Sequence, residues 1–129
     1  MLDSSSKRGA GVALDGERGH VIVFDSGNSR LQVLKYNSGL HLFSHGRMGS
    51  SPGEFRGIGS VCFDKGKEHL VVADGDNHRI QVFRYKDFSC VRIIGHYGKG
   101  PCQFIRPYGN SLMFAMRAAE DSHVLSHVT

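Results

Sequence analysis

Aspartate, asparagine and arginine recur at one spacing, as Asp25-x-x-Asn28-x-Arg30 and again as Asp74-x-x-Asn77-x-Arg79. Two kinds of chemistry are open to such a set. A carboxylate and a guanidinium can close the mouth of a hairpin through charge-assisted hydrogen bonds, with the asparagine taking a left-handed turn. The same groups can instead form a polar rim that meets a ligand. Repetition favours the first role, because a binding site is usually built from differences between repeated units. These six residues are therefore read as a structural turn motif.

Other combinations point to less. Asp74, Asp76 and Asn77 are spaced somewhat like a calcium loop, but the downstream bidentate Glu of an EF-hand is missing and Gly27 stands where Asp76 would recur. Eight histidines raise the question of zinc. His20 and His69 share one repeated position, which argues for packing, and His41, His45, His78 and His96 are scattered. His123 and His127 have no HExxH glutamate between them. No G-x-S-x-G elbow supplies a nucleophile, and Gly95–Gly100 lacks both P-loop spacing and a following helix. The residues predict no metal, no cofactor and no catalytic set.

The recurrence of the motif belongs to a larger one. From Gly11 a 49-residue unit returns without a gap, with 14 identities over positions 11–58. They include Asp15/Asp64, His20/His69, Gln32/Gln81, Tyr36/Tyr85, Gly46/Gly95, Gly49/Gly98, Pro52/Pro101 and Phe55/Phe104. A fixed period of roughly 20 to 50 residues marks solenoids, propellers or arrays. Each unit reads as four short strands, rich in Val, Ile, Phe and Tyr and bounded by Gly, Asn, Asp and Ser. In the first unit they are 11–15, 20–25, 30–36 and, less cleanly, 40–43; in the second, 61–64, 69–74, 79–85 and 90–94. Side chains alternate across a strand, so Leu31 and Val33 oppose Leu34 and Tyr36, and Ile80 and Val82 oppose Phe83 and Tyr85. Both faces are apolar and both should be covered, as in a propeller blade held between neighbours. The connection Gly46–Gly57, and its copy from Gly95, has the Gly and Pro content of a link between blades.

The segments VIVFDSGNSRLQVLKY and LVVADGDNHRIQVFRY, each followed by a glycine-rich linker ending in Phe, resemble the NHL repeat. The resemblance covers roughly residues 9–109 and is greatest to the C-terminal propellers of tripartite-motif (TRIM-NHL) proteins. It implies an all-β partial propeller: two four-stranded antiparallel blades, spanning 11–58 and 59–107, after an N-terminal flank, 1–10. Residues 108–129 then hold the start of a third blade and a divergent tail. It also implies a non-catalytic module that recruits a protein or RNA, with any ubiquitin-ligase activity carried by a RING domain elsewhere in a longer parent. Propellers of this family that bind RNA use a basic face, and Arg47, Arg56, Lys99 and Arg106 in the linkers are the candidates here. A metal-dependent lyase of propeller type is a remote alternative, for which this chain lacks the blades and the His/Asp set.

Sixteen basic and twelve acidic residues leave a formal charge of +4, a balance that allows RNA binding without requiring it. Cys62, Cys90 and Cys102 are odd in number and show no paired spacing, which argues against disulfides and for a reducing, cytoplasmic setting. No secretory or membrane-spanning run is apparent, so no membrane partner is expected. With 129 residues the chain reads as a fragment or truncated product. Its outer blade faces, of the Val33/Val82 or Leu34/Phe83 type, should then be covered by the remaining blades of a propeller or by self-association.

Overall fold

Runs that begin at His20 and His69 carry apolar residues on both faces and are flanked by turn residues, so each sits in the middle of a sheet rather than at its edge. The computed structural model describes residues 11–57, 60–64 and 66–107. The first sheet contains β1 (Val12–Asp15), β2 (His20–Asp25), β3 (Arg30–Lys35) and β4 (His41–His45), paired in that order. The second contains β5 (Ser60–Asp64), β6 (His69–Asp74), β7 (Arg79–Arg84) and β8 (Cys90–Ile94), also in sequence order. Every pairing within both sheets is antiparallel. Register repeats with the sequence: Asp25 faces Arg30 and Asp74 faces Arg79, while a bulge follows Val33 and, 49 residues on, Val82.

Two local expectations need correction. The left-handed residue of the β2–β3 turn is Ser29 (φ 52°), and in the second sheet His78 (φ 54°), not the asparagine before it. Asn28 and Asn77 sit inside a 3-10 turn because their side-chain amides donate to Asp25 and Asp74, each at 2.9 Å. The reversal therefore falls on the next residue, whose N–H returns to Ser26 O or Gly75 O. The fourth strand of the first sheet also starts later, at His41, and runs on to His45. Leu40 is used to close the preceding turn, its carbonyl accepting from Lys35 N at 2.8 Å.

The two sheets pack face to face and bury opposite sides of their own strands. The first contributes Ile22, Phe24, Leu31 and Val33; the second answers with Val61, Leu70, Val72, Phe83 and Tyr85. Phe55, from the connection between sheets, lies wholly buried among them, edge-on to Phe24 and Phe83 at centroid distances of 6.0 and 5.8 Å. Each sheet thus turns one face to this shared core; on the opposite face of the second sheet Val71 and Ala73 are buried too, with Cys62, Ile80 and Val82 partly buried against them. Of the pairs expected to lose cover, Val33 and Phe83 are fully buried, whereas Leu34 and Val82 point outward and are half-buried. Tyr36, the counterpart of buried Tyr85, is 68% exposed. The expectation that both faces are covered fails at the first sheet, whose outer face leaves Val12, Leu14 and Tyr36 exposed, but holds along β6 of the second, where Val71 and Ala73 are buried as well.

After β8 the chain forms a parallel two-residue pair, β9 (His96–Tyr97) with β10 (Gln103–Phe104). The third blade and tail expected at 108–129, and the flank at 1–10, lie outside the described residues.

Candidate functional site

The connection from Gly46 to Gly57 is laid across the Asp-Asn-Arg motif of the second sheet. Asp74 accepts from Asn77, from Arg79 Nε at 2.9 Å, from Gln81 Nε2 at 3.1 Å and from the backbone N–H of Arg56 at 2.8 Å. Arg79 then donates to the carbonyls of Ser50, Ser51 and Glu54 at 2.8–3.1 Å. Gln81 donates to Glu54 O at 2.8 Å and accepts from Gly53 N at 3.0 Å. Asp74 is fully buried, so this is a charge pair whose donors and acceptors are matched by a fixed loop backbone. Gln81 belongs to the cluster although the motif as read from sequence stopped at Arg79. The signal was present, because Gln32 and Gln81 repeat.

In the first sheet the same side chains adopt the same geometry with no loop on them among the described residues. Asp25 Oδ2 accepts from Asn28 at 2.9 Å and from Arg30 Nε and Gln32 Nε2 at 3.1 Å each. These contacts hold the Asp25 carboxyl below the usual range, the Asn28 amide contributing most. Arg30 is 40% exposed where Arg79 is 10% exposed.

The four linker cations do not form one patch. Arg47 pairs with Glu54 at 2.8 Å, and that bond, with help from Ser51 N–H, lowers the Glu54 pKa. Arg56 donates from Nε to Ser50 Oγ at 3.3 Å, and Arg106 pairs with Asp76 at 3.0 Å. Arg56 O accepts from Asp76 N, so Arg56 and Arg106 both come to the Asp76 turn. Lys99 lies apart in the second linker beside Gly100, next to Tyr97, which is 65% exposed and stands edge-on to His78 at 4.9 Å.

A different cation-rich site lies at the β1–β2, β5–β6 and β7–β8 turns, a cleft of about 600 Å³ that crosses from one sheet to the other. Arg18, His20 and Phe43 line it from the first sheet, and Lys67, Glu68, His69, Arg84, Tyr85 and Lys86 from the second. Arg18 is its keystone. It pairs with Asp15 at 2.8 Å and with Glu68 of the other sheet, and its guanidinium lies 5.4 Å from the Tyr85 ring centre. Those carboxylates, Glu68 first, raise the Arg18 pKa above its ordinary value. Burial, then the Asp15 charge, pushes the Tyr85 hydroxyl up to about 12, and it keeps a 2.8 Å hydrogen bond with His20 Nδ1. Lys67 and Lys86 have no acidic partner among the described residues, while Arg84 reaches Asp87 only at 3.8 Å. Reading the sequence missed this cleft. Its one linear trace is that Arg18 and Lys67 are basic residues 49 positions apart, two before His20 and His69.

Among the described residues no group of three or more His, Cys, Asp or Glu side chains could hold a metal ion, and no helix is long and apolar enough to cross a membrane. His45 is nearest to an unexplained titratable group. It sits edge-on to Phe83 and Phe88 with Nε2 unpartnered, and burial lowers its pKa.

No curated protein matches the chain. Among solved structures, a "Putative exported protein" from Bacteroides fragilis NCTC 9343 is similar at 28% identity and a TM-score of 0.52, over 62% of this chain and 22% of that one. The WD40 repeats of RRP9 are similar in fold at 15% identity and a TM-score of 0.50, over 67% of this chain and 23% of that one. This chain therefore spans under a quarter of the length of either structure. WD40 repeats build propellers from four-stranded blades, and the two sheets described above are sheets of that kind. The NHL repeat model matches residues 10–34 and 55–83, one stretch for each blade, so what the chain shares with known proteins is a pair of NHL-type repeats folded as adjacent blades of a propeller.

Proposed function

We propose that this chain is a non-catalytic recognition module that seats an acidic segment of a protein partner in the cleft at the Arg18–Lys86 edge. The observation that carries the reading is that two lysines with no counter-ion among the described residues, Lys67 and Lys86, flank a cleft built jointly by both blades. Blades joined through a shared aromatic core form a rigid base, and cations on the turns above it meet an anionic chain with little ordering cost. The likeness to the propellers of TRIM-NHL proteins supports a recruiting role, in which ubiquitin transfer would belong to other parts of a longer parent. The cytoplasmic setting inferred from the three thiols suits that role.

One observation favours a second reading, RNA on the opposite edge. Exposed Tyr97 offers a stacking surface beside Lys99, with Arg106 on the same linker, and aromatic rings interleaved with cations suit single-stranded nucleic acid.

Fluorescence anisotropy with a labelled glutamate-rich peptide and with a labelled single-stranded RNA tests both. The peptide should bind, weaken with salt, and lose about tenfold or more in affinity with Lys67→Glu plus Lys86→Glu. Peptide binding that ignores this double variant refutes the cleft. RNA binding lost on Lys99→Glu would transfer the function to the linker edge.

A further inference from the structure

The junction between the two blades is held by groups that the chain carries twice but uses once. On the second blade Asp74, Arg79 and Gln81 grip the backbone of a glycine-rich turn. On the first blade Asp25, Arg30 and Gln32 are already set in the same hydrogen-bonded arrangement. Among the described residues nothing occupies Asp25 Oδ1 or the terminal nitrogens of Arg30. A turn of the required shape also exists. Residues 95–106 repeat the conformation of 46–57 position by position: φ is 109° at Gly46 and 95° at Gly95, 84° at Gly53 and 57° at Cys102, 53° at Gly57 and 50° at Arg106. The internal bonds repeat too, Gly49 N to Phe55 O at 3.1 Å and Gly98 N to Phe104 O at 3.2 Å. The second turn thus keeps this shape although Cys102 and Arg106 stand in left-handed positions that favour glycine.

We infer that the open motif on the first blade is a socket for the 95–106 turn of a second copy of this chain, so that copies join head to tail through that turn. By the 49-residue correspondence, Arg30 would donate to the carbonyls of Lys99, Gly100 and Gln103. Asp25 would accept from Ile105 N–H, and Gln32 from Cys102 N–H. All of these turn groups are backbone, so the replacement of Ser50, Ser51 and Glu54 by Lys99, Gly100 and Gln103 leaves the recognition intact. The surrounding face is suited to burial. Val12, Leu14 and Tyr36 are 43%, 55% and 68% exposed, at the positions where the second blade buries Val61 and Tyr85 and half-buries Phe63. A socket at one end and a turn at the other make the interface heterologous, so association continues beyond a dimer until a ring closes or a filament grows.

Sedimentation velocity on the 129-residue chain, over a wide concentration range, tests this. The mass should rise past that of a dimer, and Arg30→Ala with Gln32→Ala should weaken association about 10- to 100-fold, as expected for lost hydrogen bonds to a charged group. Arg30→Lys, which keeps the charge but loses the planar fork, should weaken it as well. Ile105→Pro removes the turn's donor to Asp25 and should act from the other end. Mixing the Arg30→Ala, Gln32→Ala chain with the Ile105→Pro chain restores one intact junction, so a one-to-one complex should appear. A monomer at every concentration overturns the proposal. So does association that ignores the socket variants, or a mixture that shows no rescue.

Discussion

Asp74→Ala should destabilise the fold by about 3–5 kcal/mol, the cost of leaving a buried charge without its partner, whereas Asp25→Ala should cost about 1 kcal/mol or less, as at exposed ion pairs. The two aspartates share the same spacing to Asn, Arg and Gln and the same bonds to them. They differ in what lies above them. Removing the Asp74 carboxylate strands Arg79, which is nearly buried, and leaves the Arg56 N–H without its acceptor. It also frees the Gly46–Gly57 connection, which is the only covalent tie between the blades. Arg30 can turn into water when Asp25 is lost. Chemical denaturation of the two variants measures the difference directly; equal losses would mean that the loop is not held by Asp74.

Phe55→Ala should cost a similar amount, about 3–5 kcal/mol, by the cavity left when a buried aromatic is removed. For a domain of this size that is a fall in Tm on the order of 10–20 °C. Phe55 has no exposed surface and bridges Phe24 of the first blade to Phe83 of the second, so its loss opens the centre of the interface. The ring also explains Gly46. A Cβ at that position would run into it, and the backbone there is left-handed at φ 109°. Phe104 is the same residue 49 positions later, packed against Gly95 in the same way but only half-buried. Phe104→Ala should therefore lower Tm by clearly less. Thermal melts followed by circular dichroism compare them, and a larger effect at Phe104 would contradict the packing described here.

The strands were legible because each repeat supplies apolar alternation between turn residues, and the second copy confirms the bounds of the first to within a residue or two. Less legible was which face of each blade would be covered. Leu31, Val33, Leu34 and Tyr36 are equally apolar, and only the direction in which the second blade stacks makes Val33 an interior residue and Tyr36 a surface one. The Asp-Asn-Arg motif could be found from spacing, but its grip on carbonyls of the preceding linker could not, since those partners lie 25 to 29 residues earlier and contribute backbone alone. The linker cations read as a group because they are near one another in sequence. Glu54 and Asp76 then neutralise two of them, Arg47 and Arg106, through ion pairs, while the Arg56 side chain donates to Ser50 Oγ. The cleft at the other edge draws Arg18 and Lys86 from turns 68 positions apart, a distance over which no local pattern operates.

Amide chemical-shift mapping, with the glutamate-rich peptide titrated into isotopically labelled chain at low salt, tests the recognition surface most directly. Shifts should concentrate at Arg18, Lys67, Glu68, Tyr85 and Lys86, crossing from one blade to the other, with the linkers around Arg47 and Lys99 unmoved. Shifts confined to the linkers, or no shifts at saturating peptide, would contradict the assignment of this cleft as the site where a partner is bound.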